Sequence, residues 1–274
     1  MAPASSAQQK SLIAQFVALT GASDRQASRY LRLAGNKIND AVDSRVPLPP
    51  PILNNLPPCQ LQPLTNQVTD EENDEADKLE VNSTMDYLGS KLKVNLENAE
   101  LLVILELLQA PSVGEISRRG FVDGWKAAGV GAAYQEHAAH VRRLISSLSS
   151  DLALFKRVYR YTFVVGRDQD QKSLSVENAL IYWGMLFAPP GRAWKTKMHD
   201  WFELWKRFLE EKWTRSVNKD MWNMTLEFAL KSTADESLSF WNEDGAWPTV
   251  IDDFVMWSRD KVAGKSESVV VVDD

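Results

Sequence analysis

Between Pro47 and Pro63 stand seven of the chain's twelve prolines. No helix interior or central strand tolerates that density, because each proline fixes φ, removes an N–H donor and clashes with the preceding turn. The run Val46-Pro47-Leu48-Pro49-Pro50-Pro51 therefore reads as extended linker, and it makes a chain of 274 residues fold as two units. The acidic run that follows, Asp70 to Asp77, is expected to be solvated and mobile. All ten tryptophans stand at or after Trp125, which puts the aromatic mass in the second unit. The expected organisation is a small unit over 9–44, a linker over 45–67, a large domain over 68–264 and a disordered tail over 265–274.

Helical spacing dominates both units. In the first, Leu12, Ile13, Phe16, Val17 and Leu19 mark one helix. Ser23 with Gln26 forms a capping box for a second that carries Ala27, Tyr30 and Leu31, with Gly35 at its end; Ile38 to Asp43 is a third. In the large domain, apolar residues mark a helix at Leu101, Leu102, Ile104, Leu105 and Leu108, and another at Phe121 and Trp125, capped by Ser117. Others follow at Val141, Leu144, Ile145 and Leu148, and at Phe155, Val158, Tyr159, Thr162 and Phe163. Ser175 caps a helix with Ala179, Trp183 and Phe187 one turn apart, which Pro189-Pro190 ends. Trp201, Trp205 and Phe208 stripe the next, and Trp222, Leu226 and Ala229 the one after. Pro248 opens a last helix bearing Ile251, Phe254 and Val255. Strand alternation is nearly absent, apart from a short bridge expected at Glu115-Ile116, so the fold class is all-α.

Composition narrows the function. With 44% hydrophobic residues the chain has a core, and a formal charge of −6 argues against a nucleic-acid binder. The opening Met1 to Ser6 lacks a signal-peptide pattern and the longest apolar run, Leu101 to Leu105, is too short to span a bilayer, so an intracellular protein without a membrane partner is expected. Reactive groups are few. Cys59, alone in the linker, has no base beside it. His137 and His140 lack a third metal ligand and read as ordinary surface histidines. A calcium loop placed on the acidic run fails: with Glu72 first, Ala76 falls at the fifth position, Asp77 replaces glycine and Ser83 replaces the closing glutamate. No metal or cofactor is expected.

The informative stretch is Ser232 to Ser258, which holds Asp235, Glu236, Glu243, Asp244, Asp252 and Asp253 with no lysine or arginine, interleaved with Phe240, Trp241, Trp247, Ile251, Phe254 and Trp257. Carboxylates set among aromatics suit docking of a basic partner, or equally a solvated face over core rings. Asp220 has a structural reading as N-cap of the Trp222 helix, and Asp252 as a complement to its helix dipole.

Lys219-Asp220-Met221-Trp222-Asn223, Asp244-Gly245-Ala246-Trp247-Pro248 and Ile251-Asp252-Asp253-Phe254-Val255 resemble the C-terminal signature of the defective-in-cullin-neddylation family; so do Ala179-Leu180-Ile181-Tyr182-Trp183 and Gly120-Phe121-Val122-Asp123-Gly124. The resemblance covers roughly 82–264, the potentiating-neddylation (PONY) domain, which has an EF-hand-like N-terminal part. The first unit is similar to the ubiquitin-associated (UBA) three-helix domain, although Asp43-Ser44 runs directly into proline-rich sequence where an aromatic-rich third helix is usual.

The resemblance implies a non-catalytic scaffold co-ligase with no cofactor. It implies binding to the C-terminal winged-helix domain of a cullin and to the charged neddylation-conjugating enzyme, beside the RING subunit, in nucleus and cytoplasm. It places a cullin-binding patch on Asp220, Ala246 and Asp252. A pocket for the acetylated N-terminal methionine of the conjugating enzyme falls on Leu101, Ile104, Leu105, Val113, Ile116, Val165 and Met185, each of which has a core reading too. The alternative is an adaptor that binds ubiquitin or the ubiquitin-like modifier mainly through the UBA-like unit. The tail, Ser268 to Asp274, has the apolar run and acidic flank of a segment that adds a strand to such a partner.

Overall fold

The structure, a computed structural model, describes residues 77–168 and 170–267 with Asp74 and Glu75, and, nearer the N-terminus, Lys10, 12–14, Ala27, Ser28 and Leu31; for 262–267 it describes backbone only. The chain divides into two compact units, Met1–Leu56 and Pro57–Asp274. In the first, the described residues are helical, and Ala27 and Leu31, one turn apart, are 0% and 1% exposed. That is the inward face expected from their spacing. The capping box, Gly35, the third helix, the linker with Cys59 and the valine-rich tail lie outside the described residues.

The second unit holds nine α-helices among its described residues. They are α1 (Val81–Met85), running into a π-helical segment (Asp86–Lys91), α2 (Ala99–Leu107), α3 (Arg118–Ala127), α4 (Tyr134–Ser147), α5 (Leu152–Val165), α6 (Val176–Phe187), α7 (Trp201–Lys212), α8 (Lys219–Ala234) and α9 (Thr249–Glu267). Four two-residue strands, β1 (Lys78–Leu79), β2 (Ile116–Ser117), β3 (Ser173–Leu174) and β4 (Val217–Asn218), make two antiparallel pairs, β1 with β2 and β3 with β4. Each strand leads almost directly into a helix, and its apolar residue (Leu79, Ile116, Leu174, Val217) is at most 5% exposed. Isolated pairs this short are not stable; burial of those four side chains holds them.

α2 is apolar all round, with Leu101, Leu102, Val103, Ile104 and Leu105 all buried, so it forms the middle of the core rather than one wall of it. It lies along α5 and α4. α3 crosses the C-terminal end of α2 at backbone contact: a Cβ on Gly120 or Gly124 would fall within 3.0 Å of the Leu108 or Leu107 carbonyl oxygen. Ser117 and Ser175 cap α3 and α6 as expected, each accepting a hydrogen bond from the third residue on. α6 stops at Phe187 ahead of Pro189-Pro190, and α9 starts at Thr249, directly after Pro248.

Two buried polar hubs join the helices. The Tyr159 hydroxyl on α5 donates to the Trp222 carbonyl (2.8 Å) and accepts from Trp183 Nε1 (2.7 Å), while Trp222 Nε1 donates to the Tyr159 carbonyl (3.0 Å). Trp183 and Trp222 stack with centroids 4.9 Å apart. The other hub overturns an expectation. His137 is not a surface histidine: it is 0% exposed, stacked 3.9 Å from Trp125, with Nε2 on the Gly131 carbonyl (2.9 Å) and Nδ1 on the Tyr87 hydroxyl (3.0 Å). Since a carbonyl only accepts, Nε2 carries the proton, and Trp125 Nε1 completes the chain by donating to the Tyr87 oxygen (3.1 Å). Burial pushes the His137 pKa down to about 4.

At its C-terminal end the acidic run is solvated but has partners. Asp74 accepts from the Glu80 amide (2.7 Å), the Asp77 carbonyl accepts from the Arg118 amide (2.7 Å), and Lys78 lies between the carboxylates of Glu75, Glu80 and Glu115. Lys78 and Arg118 supply the counter-charges that a reading of the run in isolation leaves out. Among the described residues no helix is long and apolar enough to cross a membrane, and no three His, Cys, Asp or Glu residues group as metal ligands would.

Candidate protein-docking site

Asp220 stands in the first turn of α8 and is exposed, but it is not the cap. Asn218, in extended backbone, holds that place, its side chain accepting from the Met221 amide (2.8 Å). A cap must lie outside the helical turn to reach back to the third amide. Asp220, already inside the turn, complements the helix dipole with its carboxylate left in solvent.

Asp252 is the fourth residue of α9, also in its first turn, and is half-buried. Its Oδ1 accepts a hydrogen bond from Trp241 Nε1 (2.9 Å), and the Arg259 guanidinium lies 4.8 Å from the centroid of that indole. Ala246, exposed, follows a tight turn in which the Gly245 amide donates to the Asn242 carbonyl (3.0 Å), too close there for a Cβ.

An aromatic floor fixes the segment between α8 and α9. Phe228 on α8 packs against Phe240, Trp247 and Phe254 at 5.6, 5.8 and 5.7 Å. The first two belong to the connecting segment and the third to α9. Asp220 lies eight residues before Phe228, about 12 Å along the helix axis, so α8 carries one carboxylate at its start and seats the loop further along.

The six carboxylates between Ser232 and Ser258, with Asp220, divide into two sets. Asp235 is consumed by the fold, accepting from the amides and hydroxyls of Ser237 and Ser239, which pull its pKa down to about 2. Glu236 accepts from the Thr196 hydroxyl and the Met198 amide and is likewise held below the usual range, the Thr196 bond contributing most. Among the described residues, Asp220, Glu243, Asp244 and Asp253 have no ion pair or hydrogen bond, and Asp252 has only the one to Trp241.

The seven residues assigned to the methionine pocket all belong to one hydrophobic cluster. Leu101, Ile104, Leu105, Ile116 and Val165 are at most 5% exposed, while Val113 and Met185 are half-buried against them. A separate groove of about 600 Å³ lies between the start of α6 and the end of α7, lined by Val176, Leu180, Leu209 and Trp213 with Glu177 and Glu210 at hand; none of the expected site residues lines it. Spacing did not single out the hold of Trp241 on Asp252, since the two stand eleven residues apart across a turn. His137 had a signal: it precedes Val141 and Leu144 on α4, and Leu148 at its C-cap, by four, seven and eleven residues.

Comparison with known proteins places the chain in a family. A family model described as cullin binding matches residues 136–257, and one described as a UBA-like domain matches residues 10–44. The chain is 38% identical to Defective in cullin neddylation protein 1 of Pyricularia oryzae over 274 residues, covering 96% of this chain and 97% of that protein. It is 28% identical to the protein of the same name in Yarrowia lipolytica over 248 residues, 90% of this chain and 96% of that one. It is 32% identical to DCN1-like protein 5 of Homo sapiens over 175 residues, 64% of this chain and 69% of that one. With that likeness running through both units, the chain belongs to the defective-in-cullin-neddylation family.

Proposed function

We propose that the chain is a non-catalytic scaffold that binds a cullin and the charged neddylation-conjugating enzyme and speeds transfer of the ubiquitin-like modifier to the cullin. The matched cullin-binding family model and the names of the relatives support a role in cullin neddylation. The observation that carries the finer reading is the division of carboxylates: the fold uses Asp235 and Glu236 internally and leaves Asp220, Asp244 and one oxygen of Asp252 unsatisfied. Asp220 and Asp252 then accept charge-assisted hydrogen bonds from basic side chains of the cullin C-terminal winged-helix domain, and the methyl of Ala246 permits close approach. The acetylated N-terminal methionine of the conjugating enzyme enters at the half-buried Val113 and Met185, which must part to admit it to the otherwise closed cluster of Leu101, Ile104, Leu105, Ile116 and Val165. Holding both partners turns a rare encounter into a nearly unimolecular step, and orientation alone is a large share of what a catalyst supplies.

Calorimetric titration of the full chain with the cullin C-terminal domain tests the site. Asp220→Lys or Asp252→Lys is expected to weaken binding by about tenfold or more, with the melting temperature lowered by no more than a few degrees at the exposed Asp220, where the reversed charge opposes the helix dipole. Unchanged affinity in both variants overturns the assignment. The UBA-like match at residues 10–44 favours a second reading, an adaptor acting through that unit. Deleting it distinguishes the two, since the scaffold keeps most of its stimulation without it and the adaptor loses its activity.

A further inference from the structure

The environment of Asp252 holds more than the proposed docking needs. Trp241 is half-buried, and its indole N–H has one partner, Oδ1 of Asp252 at 2.9 Å. The two residues belong to different elements, Trp241 to the connecting segment and Asp252 to the first turn of α9. The face of the same indole is covered at 4.8 Å by the guanidinium of Arg259, seven residues further along α9. The ring is thus held between α9's first carboxylate and a cation two turns on, with the Trp241 amide donating to the Leu238 carbonyl (3.1 Å) to fix its backbone. An aspartate side chain free in water samples several rotamers; one whose Oδ1 is tied to a clamped indole does not.

We infer that Trp241 is a positioning residue: it holds the Asp252 carboxylate by Oδ1 so that Oδ2 stays aimed at a basic group of the docking partner. The inference rests on the docking role proposed for Asp252 and adds what sets its geometry. The loss of rotamer freedom occurs on folding rather than on binding, and that pre-organisation improves affinity without a new contact. Trp241 does not itself touch the partner's cation, and its contribution runs entirely through Asp252. Arg259 acts one step further out, by keeping the ring flat against the helix.

A double-mutant cycle with the cullin C-terminal domain as ligand tests this, using full-length Trp241→Phe, Asp252→Ala and the double variant. Phenylalanine keeps the ring and the cation above it and removes only the indole N–H. Trp241→Phe alone is expected to weaken binding about fivefold, the scale of ordering one side chain on binding rather than on folding. In the Asp252→Ala background the same change is expected to have no effect, because nothing remains to be positioned. An equal loss in both backgrounds, or no loss in the wild-type background, overturns the positioning role while leaving the docking role of Asp252 standing. No loss from Asp252→Ala overturns the docking role, and this inference with it. A readout independent of the stability of Trp241→Phe is the indole N–H resonance of Trp241 in the 15N-labelled wild-type chain. It is expected to move upfield on Asp252→Ala and to shift on addition of the cullin domain, and a resonance that ignores both contradicts the inference.

Discussion

Tyr159 and His137 show how single polar groups set the stability of an apolar interior. The Tyr159 hydroxyl, on a side chain 0% exposed, both donates and accepts. Tyr159→Phe leaves the Trp183 N–H and the Trp222 carbonyl without that partner, and is expected to cost about 3 kcal/mol in urea unfolding. His137 has a pKa of about 4 in the fold against 6.5 in an unfolded chain. The unfolded state therefore binds more protons between those values, and stability is full above pH 6.5 and falls as pH drops toward 4. The expected loss across that window is about 3 kcal/mol, to which His140, lowered by burial and then by Arg143, adds with the same sign. Melting curves from pH 7 to pH 4.5 check it: His137→Gln, which can still donate to Gly131 and accept from Tyr87, is expected to flatten the slope. The helical faces around these residues were legible because side chains repeat every 3.6 positions. The role of His137 was not, since residue type argued surface while position on α4 argued core, and position decided. The structural alternative for Asp220, an N-cap, fails because Asn218 two residues earlier takes that place.

At the scale of elements, the crossing of α2 and α3 is the most constrained contact. Gly120 and Gly124, one turn apart, let α3 lie against the carbonyls of Leu107 and Leu108. Gly120→Ala improves helix propensity by about 1 kcal/mol, yet it is expected to destabilise by more than 2 kcal/mol, since backbone rather than a flexible side chain must move. Thermal unfolding of that variant decides which effect wins. The helices themselves were readable from apolar stripes and from caps such as Ser117 and Ser175. The strands mostly were not: a pair of two-residue strands shows no alternation, and β3 with β4 exists only because Leu174 and Val217 are drawn into the core. Nor was α1 with its π-helical continuation, which is short, rich in polar residues and interrupted by Gly89.

For the whole molecule, the formal charge of −6 is less informative than where the carboxylates are spent. The fold neutralises the end of the acidic run with Lys78 and Arg118, and it folds Asp235 and Glu236 into the segment after α8. What is left on the first turns of α8 and α9, the carboxylate of Asp220 and one oxygen of Asp252, is what the proposed docking of a basic partner uses. Its binding is expected to weaken about tenfold between 50 and 500 mM salt, as the screening length shortens from roughly 14 to 4 Å; a salt-independent affinity would mean that apolar contacts carry the interface. The most direct measurement of the central claim is the rate of modifier transfer to a cullin in a reconstituted mixture of conjugating enzyme, RING subunit and this chain. Wild-type chain is expected to raise the rate, and the doubly charge-reversed Asp220→Lys/Asp252→Lys chain to return it to the level without any chain, at equal folded concentration. Full stimulation by the reversed chain would contradict the account.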